Sequence, residues 1–149
     1  MEERAHDLEV ADDQLVFRLM SLATVSFNLP SPAPIVNLQE MESPYRGLPF
    51  PVGLPEAQAI AAAQHFLPGP RPSTHELFSS VLRQTKTEVV AVRIVRYEDG
   101  VFYAELDLRS PQGRVILDCR PTDAIVLALR ETVAAPILCA ESVLSQFYV

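Results

Sequence analysis

Lysine is almost missing from this chain: Lys86 stands alone among 149 residues, and the arginines are scattered rather than gathered in a run. Tight, sequence-independent grip on a nucleic acid rests on many Lys and Arg contacts to phosphate. With a formal net charge of −7, a broad basic binding surface is excluded. No apolar run approaches the roughly 18–20 residues that a membrane span needs. The start, "MEERAHDLEVADD", is acidic and polar and has neither the basic nor the hydrophobic region of a signal peptide. A cytoplasmic protein without membrane contact is the expectation. Cysteine is also scarce. Cys119 and Cys139 sit in apolar surroundings and read as buried thiols rather than a disulfide. No His/Cys cluster has zinc spacing, and no Gly-rich loop has phosphate-cradle spacing.

What is present suits one domain, large enough to bury a real core. Residues 1–13 read as a loose acidic tail and 14–149 as the domain. "QLVFRLMSLATVSFNL" carries the β-branched and aromatic residues of a strand, "PIVNLQEM" those of a second, and "LPFPV" a short third that its prolines confine to an edge. "GLPEAQAIAAAQHF" is the clearest helix, with Pro55 and Glu56 at its start and "PG" at its end. "RPSTHELFSSVLRQ" restarts a helix; Ser73 and Glu76 have capping-box spacing, and Leu77, Val81 and Leu82 supply the expected apolar face. Strands follow in "EVVAVRIVR", "VFYAELDLR" and "RVILD". A helix at "PTDAIVLAL", capped by Thr122, a short strand "APILC" and a helical turn in "ESVLSQF" complete the chain. The openings "PEAQAIAAA" and "PTDAIVLAL" resemble each other. The expectation is an α+β fold of two layers, a duplicated β3–α2 unit with mostly antiparallel sheets packed on helices.

The apolar pattern predicts the register of the second meander. A three-residue loop Glu98-Asp99-Gly100 sets Ile94 against Ala104, Val92 against Leu106 and Val90 against Leu108; a two-residue loop is disfavoured because it sets Ile94 against Glu105. Pairing Arg109 with Arg114 sets Leu108 against Val115 and Leu106 against Leu117. Val92, Ile94, Ala104, Leu106, Val115 and Leu117 are then expected to face helices. Arg93, Glu105 and Asp118 share the opposite face, where two adjacent carboxylates repel.

The stretch "DCRPTDAIVLALR", residues 118–130, is thus a strand-to-helix corner with Asp118, Arg120 and Asp123 at the mouth of an apolar run. Buried charges must be paired, solvated or used. In series, "GLPEAQAIA", "RPSTHEL", "DGVFYAEL" and this stretch resemble the bifunctional nuclease family, over roughly residues 14–145. The resemblance implies an α+β domain, often oligomeric, with ribonuclease and deoxyribonuclease activity. Its "RP-x-TH-[acid]-L" run falls on Arg71, Pro72, Thr74, His75, Glu76 and Leu77. Its "[acid]-x-RP-[small]-DA" run falls on Asp118, Arg120, Pro121, Asp123 and Ala124. Glu76 stands where the family commonly has Asp, and Thr122 where it commonly has Ser.

Phosphodiester hydrolysis needs an activated water and positive charge at the transition state. Asp118, Asp123 and Glu105 could hold Mg²⁺ or Mn²⁺ through oxygen ligands. His75 and Glu76 could exchange protons beside Asp118 and Asp123, while Arg71 and Arg120 bind phosphate. Each has a plainer reading: Asp123 as a helix-start charge, His75 as part of a cap, the arginines as ion-pair partners, and His65 as a dipole partner. Two functions stay open. One is a metal-dependent nuclease acting on RNA and DNA; the other is a non-enzymatic regulatory or binding module whose Arg/Asp/His corner is a structural lock. Apolar strands in the first half and the "QFYV" end predict a homodimer or higher homo-oligomer. Both "RP" motifs precede helix starts, where anions are attracted, and the two are expected to converge on one cleft.

Overall fold

A computed structural model describes residues 16–27 and 33–148. The expected acidic tail at 1–13, with His6, and both ends of the first expected strand lie outside the described residues. The elements run β1 (Phe17–Ser26), β2 (Ile35–Glu40), β3 (Gly47–Pro51), α1 (Leu54–Gln64), α2 (Thr74–Gln84), β4 (Glu88–Glu98), β5 (Val101–Ser110), β6 (Gly113–Cys119), α3 (Pro121–Leu129), β7 (Ile137–Ala140) and α4 (Glu141–Leu144).

The fold is α+β, and its seven strands form one mixed sheet in the order β3-β2-β1-β7-β4-β5-β6. Two antiparallel meanders, one from each half, are joined by β7, which runs antiparallel to β1 and parallel to β4. A four-residue strand from the end of the chain therefore closes the sheet at its centre. Helix α3 lies against β4 and β5 and is flanked by α1 and α2. Its residues Ala124, Ile125, Val126, Leu127 and Ala128 are all buried, which explains why "AIVLAL" shows no polar stripe: a helix enclosed by neighbours is apolar all round.

The turn between β4 and β5 corrects the expected loop. Asp99 and Gly100 take φ of 50° and 77°, the two positive values of a two-residue type I′ turn, and Glu98 pairs with Val101. The apolar register survives nonetheless: Ile94 opposes Ala104 and Val92 opposes Leu106 because the ladder shifts between Ile94 and Arg96, leaving Val95 as an extra residue. A second shift between Val89 and Ala91 sets Val89, rather than Val90, against Leu108. β-Bulges of this kind add one residue to one strand and restore its side-chain phase.

The register of β5 and β6 is as expected, with Leu108 opposite Val115, Leu106 opposite Leu117 and Glu105 opposite Asp118. Helical cover over Val115 and Leu117 is not: β6 is the outermost strand, and the two remain 48% and 42% exposed. The expected apolar face of α2 is also corrected. Leu77 and Val81 are exposed, whereas Leu82 is buried as expected and the helix also buries Ser79. Leu77 and Val81 lie one turn apart on a stripe roughly opposite Ser79, at 3.6 residues per turn.

On the face carrying Arg93 and Glu105, Asp107 is 1% exposed. It accepts from Arg93 Nη2 at 2.8 Å and from Arg114 Nε and Nη2 at 3.0 and 2.9 Å. Burial pushes its carboxyl pKa up, but the hydrogen bonds from Arg114 and Arg93 outweigh this and leave it below the ordinary value. A second network joins Glu40, buried in β2, to Arg46 and Arg18, and Arg46 in turn to Glu141.

Candidate functional site

Pro121 fixes the start of α3. Occupying the first helical position, it makes Arg120 the N-cap residue, with extended φ and ψ and no side-chain cap bond. Thr122, expected as the cap, lies inside the first turn and is buried. The proline sets the boundary two residues earlier than the hydroxyl suggested. Asp123 follows in the first turn, where the free N–H groups and the helix dipole favour a carboxylate.

Helix α2 starts as expected: Ser73 Oγ accepts from the Glu76 N–H at 3.2 Å. This places His75 in the first turn, and its Nε2 lies 2.8 Å from Asp123 Oδ1. The two helix starts therefore converge. Asp123 also accepts from Arg120, Oδ2 from Nε at 2.8 Å and Oδ1 from Nη2 at 3.1 Å. Arg120 Nη1 reaches further, to Glu56 Oε1 at 3.1 Å. Burial raises the Asp123 pKa, and the bonds from Arg120 and His75 lower it by more, so the carboxyl stays ionised below its ordinary range. The hydrogen bond to Asp123 in turn raises the Arg120 pKa.

Glu76 and Arg71 stand apart from this pair. Glu76 lines a separate cleft with Ser79, Arg83 and Arg130, and its Oε1 lies 3.9 Å from Arg130 Nη2. Adjacent residues on a helix point about 100° apart, and here His75 and Glu76 line different clefts. Arg71 is exposed in the segment before α2 and lines neither that cleft nor the cavity below His75.

Asp118 and Glu105 face each other across β5 and β6. Cys119, next in the chain, carries a thiol pushed up to about 11, first by burial and then by the charges of Asp118, Asp123 and Glu105. It is a poor nucleophile at neutral pH. Among the described residues no three His, Cys, Asp or Glu side chains gather so as to hold a metal ion. Both Asp123 oxygens already accept from Arg120 and His75. As they stand, Asp118, Asp123 and Glu105 do not fit a ready divalent-metal site.

Below the His75–Asp123 pair opens a cavity of about 520 Å³. Phe78, Leu106, Leu117 and Leu127 give it apolar walls, while His75, Arg120 and Asp123 form its polar border. Its walls are shared by α2, α3 and the outer strands β5 and β6. An apolar pocket with a few convergent polar groups is the usual form of a ligand site.

Glu56 and Phe78 belong to this site and were not singled out from the sequence. The signal for Glu56 was present in the matching helix openings "PEAQAIAAA" and "PTDAIVLAL", each with an acid beside its proline. Phe78 carried no signal beyond its place one turn after His75.

Two Mycobacterium tuberculosis proteins, Uncharacterized protein MT1877 (strain CDC 1551 / Oshkosh) and Uncharacterized protein Rv1829 (strain ATCC 25618 / H37Rv), are each 36% identical over 117 residues, covering 78% of this chain and 68% of theirs. The family model described as the bifunctional nuclease domain matches residues 36–149. That span takes in both "RP" motifs, all of the paired site residues, nearly all of β2 and the whole of β3 to β7, so the chain belongs to the bifunctional nuclease domain family.

Proposed function

We propose that this chain hydrolyses phosphodiester bonds in RNA and in single-stranded or nicked DNA, with His75 as the proton-transfer group. The observation that carries this reading is the 2.8 Å contact of His75 Nε2 with Asp123 Oδ1 at the border of an apolar cavity, in a chain of the bifunctional nuclease domain family. With Asp123 accepting the Nε2 proton, the neutral ring carries its lone pair on Nδ1, able to take a proton from an attacking water. The water oxygen bonds to phosphorus as its proton passes to His75 Nδ1, and the P–O bond to the leaving oxygen breaks. That oxygen takes a proton from solvent, and the imidazolium returns its own proton to solvent. Arg120, more than half exposed although paired, offers its planar fork to the phosphate. Phe78 and the leucines around it suit an unpaired base, since stacking accepts any base. The EDTA arm of a cleavage assay reads directly whether Mg²⁺ or Mn²⁺ is required. The working unit is a homo-oligomer, as the exposed apolar residues of α2 and β6 support.

A second reading is favoured by one observation. Asp123 has partners on both oxygens, and Arg120 bridges it to Glu56, an arrangement that could simply fasten α1, α2 and α3 together. Assaying highly purified wild type and His75→Gln on a labelled single-stranded oligonucleotide, with and without EDTA, tests the nuclease. Loss of cleavage in His75→Gln is the expected result. Equal cleavage by both proteins, which is the mark of a contaminating nuclease, overturns it.

A further inference from the structure

The two edges of the sheet are built differently. β3 forms one edge and carries Pro49 and Pro51; proline lacks an N–H and discourages strand addition. β6 forms the other edge, and its sequence GRVILDC holds no proline and no lysine. Val115, Ile116 and Leu117 are all exposed there. An edge with an apolar centre and no proline is a template for a strand whose charges complement Arg114 and Asp118.

We propose that β6 pairs antiparallel with β6 of a second copy of this chain, about a twofold axis at Ile116. This rests on the homo-oligomer reading above and assigns its interface. The ladder decides which residues can meet. Ser110 pairs with Gly113 across a two-residue turn, and Leu108, Leu106 and Ala104 pair with Val115, Leu117 and Cys119. In an antiparallel ladder, pairs that exchange backbone bonds alternate with pairs that do not. Gly113, Val115, Leu117 and Cys119 therefore bond inward to β5, while Arg114, Ile116 and Asp118 turn their N–H and C=O groups to the open edge. A second β6 must match outward residues with outward residues.

Charge then selects the centre. About Ile116, the two Ile116 residues meet, Val115 meets the partner's Leu117, and Arg114 meets the partner's Asp118, twice by symmetry. A centre at Arg114 or at Asp118 sets like charges together. A centre at Leu117 sets Arg114 against the partner's Arg120, and one at Val115 leaves Asp118 against the partner's Gln112. Directly opposite charges stabilise a strand pair and like charges destabilise it. Only the Ile116 centre sets both charges of β6 against their opposites.

The pairing also accounts for Glu105 and Asp118, two carboxylates facing each other across strands. The partner's Arg114 completes a row on that face in which Asp118 lies between a carboxylate and a guanidinium. Arg114 already bonds Asp107, which holds its side chain along this face. On the opposite face, two Val115–Leu117 contacts cover side chains now in water, beside Phe78, itself 42% exposed.

Light scattering of the full chain at tens of micromolar should give a dimer mass for wild type and a monomer mass for Ile116→Lys, with matching far-UV circular dichroism spectra. Ile116→Cys should cross-link into a dimer on oxidation, because bonded partners in antiparallel strands lie about 5.5 Å apart at Cα, within disulfide reach. Wild type and Ser110→Cys should not cross-link. A monomeric wild type overturns both the oligomer reading and this interface. An oligomeric wild type that is unaffected by Ile116→Lys, with no Ile116→Cys cross-link, overturns the interface and leaves the oligomer reading standing. Should Ile116→Lys fail to fold, the cross-link alone decides.

Discussion

Arg120 Nη1 donates to Glu56 Oε1 at 3.1 Å although the two lie 64 positions apart in the chain. The openings of α1 and α3 are thereby tied to each other, and through Asp123 and His75 to α2. The tie is mostly solvated, since 62% of the Arg120 side chain and 25% of the Glu56 side chain are exposed. Exposed ion pairs typically couple by about 0.2–1 kcal/mol. A double-mutant cycle with Arg120→Ala and Glu56→Ala, read by urea unfolding, should give a coupling in that range. A coupling above about 2 kcal/mol would favour the structural-lock reading of the corner.

Acid should first strain the Glu40 network. Hydrogen bonds from Arg46 hold the Glu40 carboxyl down at about 2 against the opposing effect of burial. In the unfolded chain a glutamate takes up its proton near pH 4.3. The stability this group supplies is complete above that value and is lost as pH falls from about 4 toward 2. Glu40→Gln should cost about 3 kcal/mol at pH 7, as expected for breaking a buried pair, and should lose less further stability than wild type between pH 4 and 2. Parallel acid titrations of the two proteins, followed by far-UV circular dichroism, would contradict this if both lost stability equally.

The chain's architecture was legible where pattern and physics are local. Alternating apolar residues gave the pairing of β5 with β6 and the pairs Ile94–Ala104 and Val92–Leu106. The same pattern could not show that two bulges, at Val95 and Val90, maintain this register around a two-residue turn. A bulge leaves the apolar count intact and shows only in the backbone. Exposure was misjudged at Val115, Leu117, Leu77 and Val81 because an apolar side chain reports what it could bury, not whether a neighbour arrives. The convergence of His75 with Asp123 was legible from two helix starts, each following an "RP". The divergence of Glu76 was not, since it depends on how far α2 is rotated against α3. Asp107 was hidden for a similar reason: its partners Arg93 and Arg114 come from different strands.

Substrate binding should depend only weakly on salt. With one lysine in the chain and a formal net charge of −7, Arg120 is the main phosphate contact at the site. Each neutralised phosphate of a single strand contributes about −0.7 to the slope of log K against log salt. Binding of a labelled oligonucleotide at several salt concentrations should give a slope between about −0.7 and −1.4. A slope steeper than about −3 would require a basic surface that the sequence does not contain.

Cys119 should be slow to react in the folded protein. Burial and the neighbouring carboxylates push its thiol up to about 11, so little thiolate exists at pH 7.5, and thiolate is the reactive form. Iodoacetamide labelling followed by mass spectrometry should find Cys119 modified far more slowly in buffer than in guanidinium chloride. Equal rates would contradict both the burial and the charge assigned to this strand end.

Under the proposed mechanism Asp123 serves chemistry through His75 rather than merely fastening three helices. Asp123→Asn keeps the shape of the side chain while removing its charge. The most direct measurement is the initial rate of single-stranded oligonucleotide cleavage by purified Asp123→Asn beside wild type, with urea unfolding of the same two preparations. The expected result is a loss of at least about a hundredfold in rate, the lower range for removing acid–base assistance, with stability changed by less than about 1 kcal/mol. Wild-type cleavage rates in Asp123→Asn, or a stability loss of about 1–3 kcal/mol with no cleavage by either protein, would contradict it.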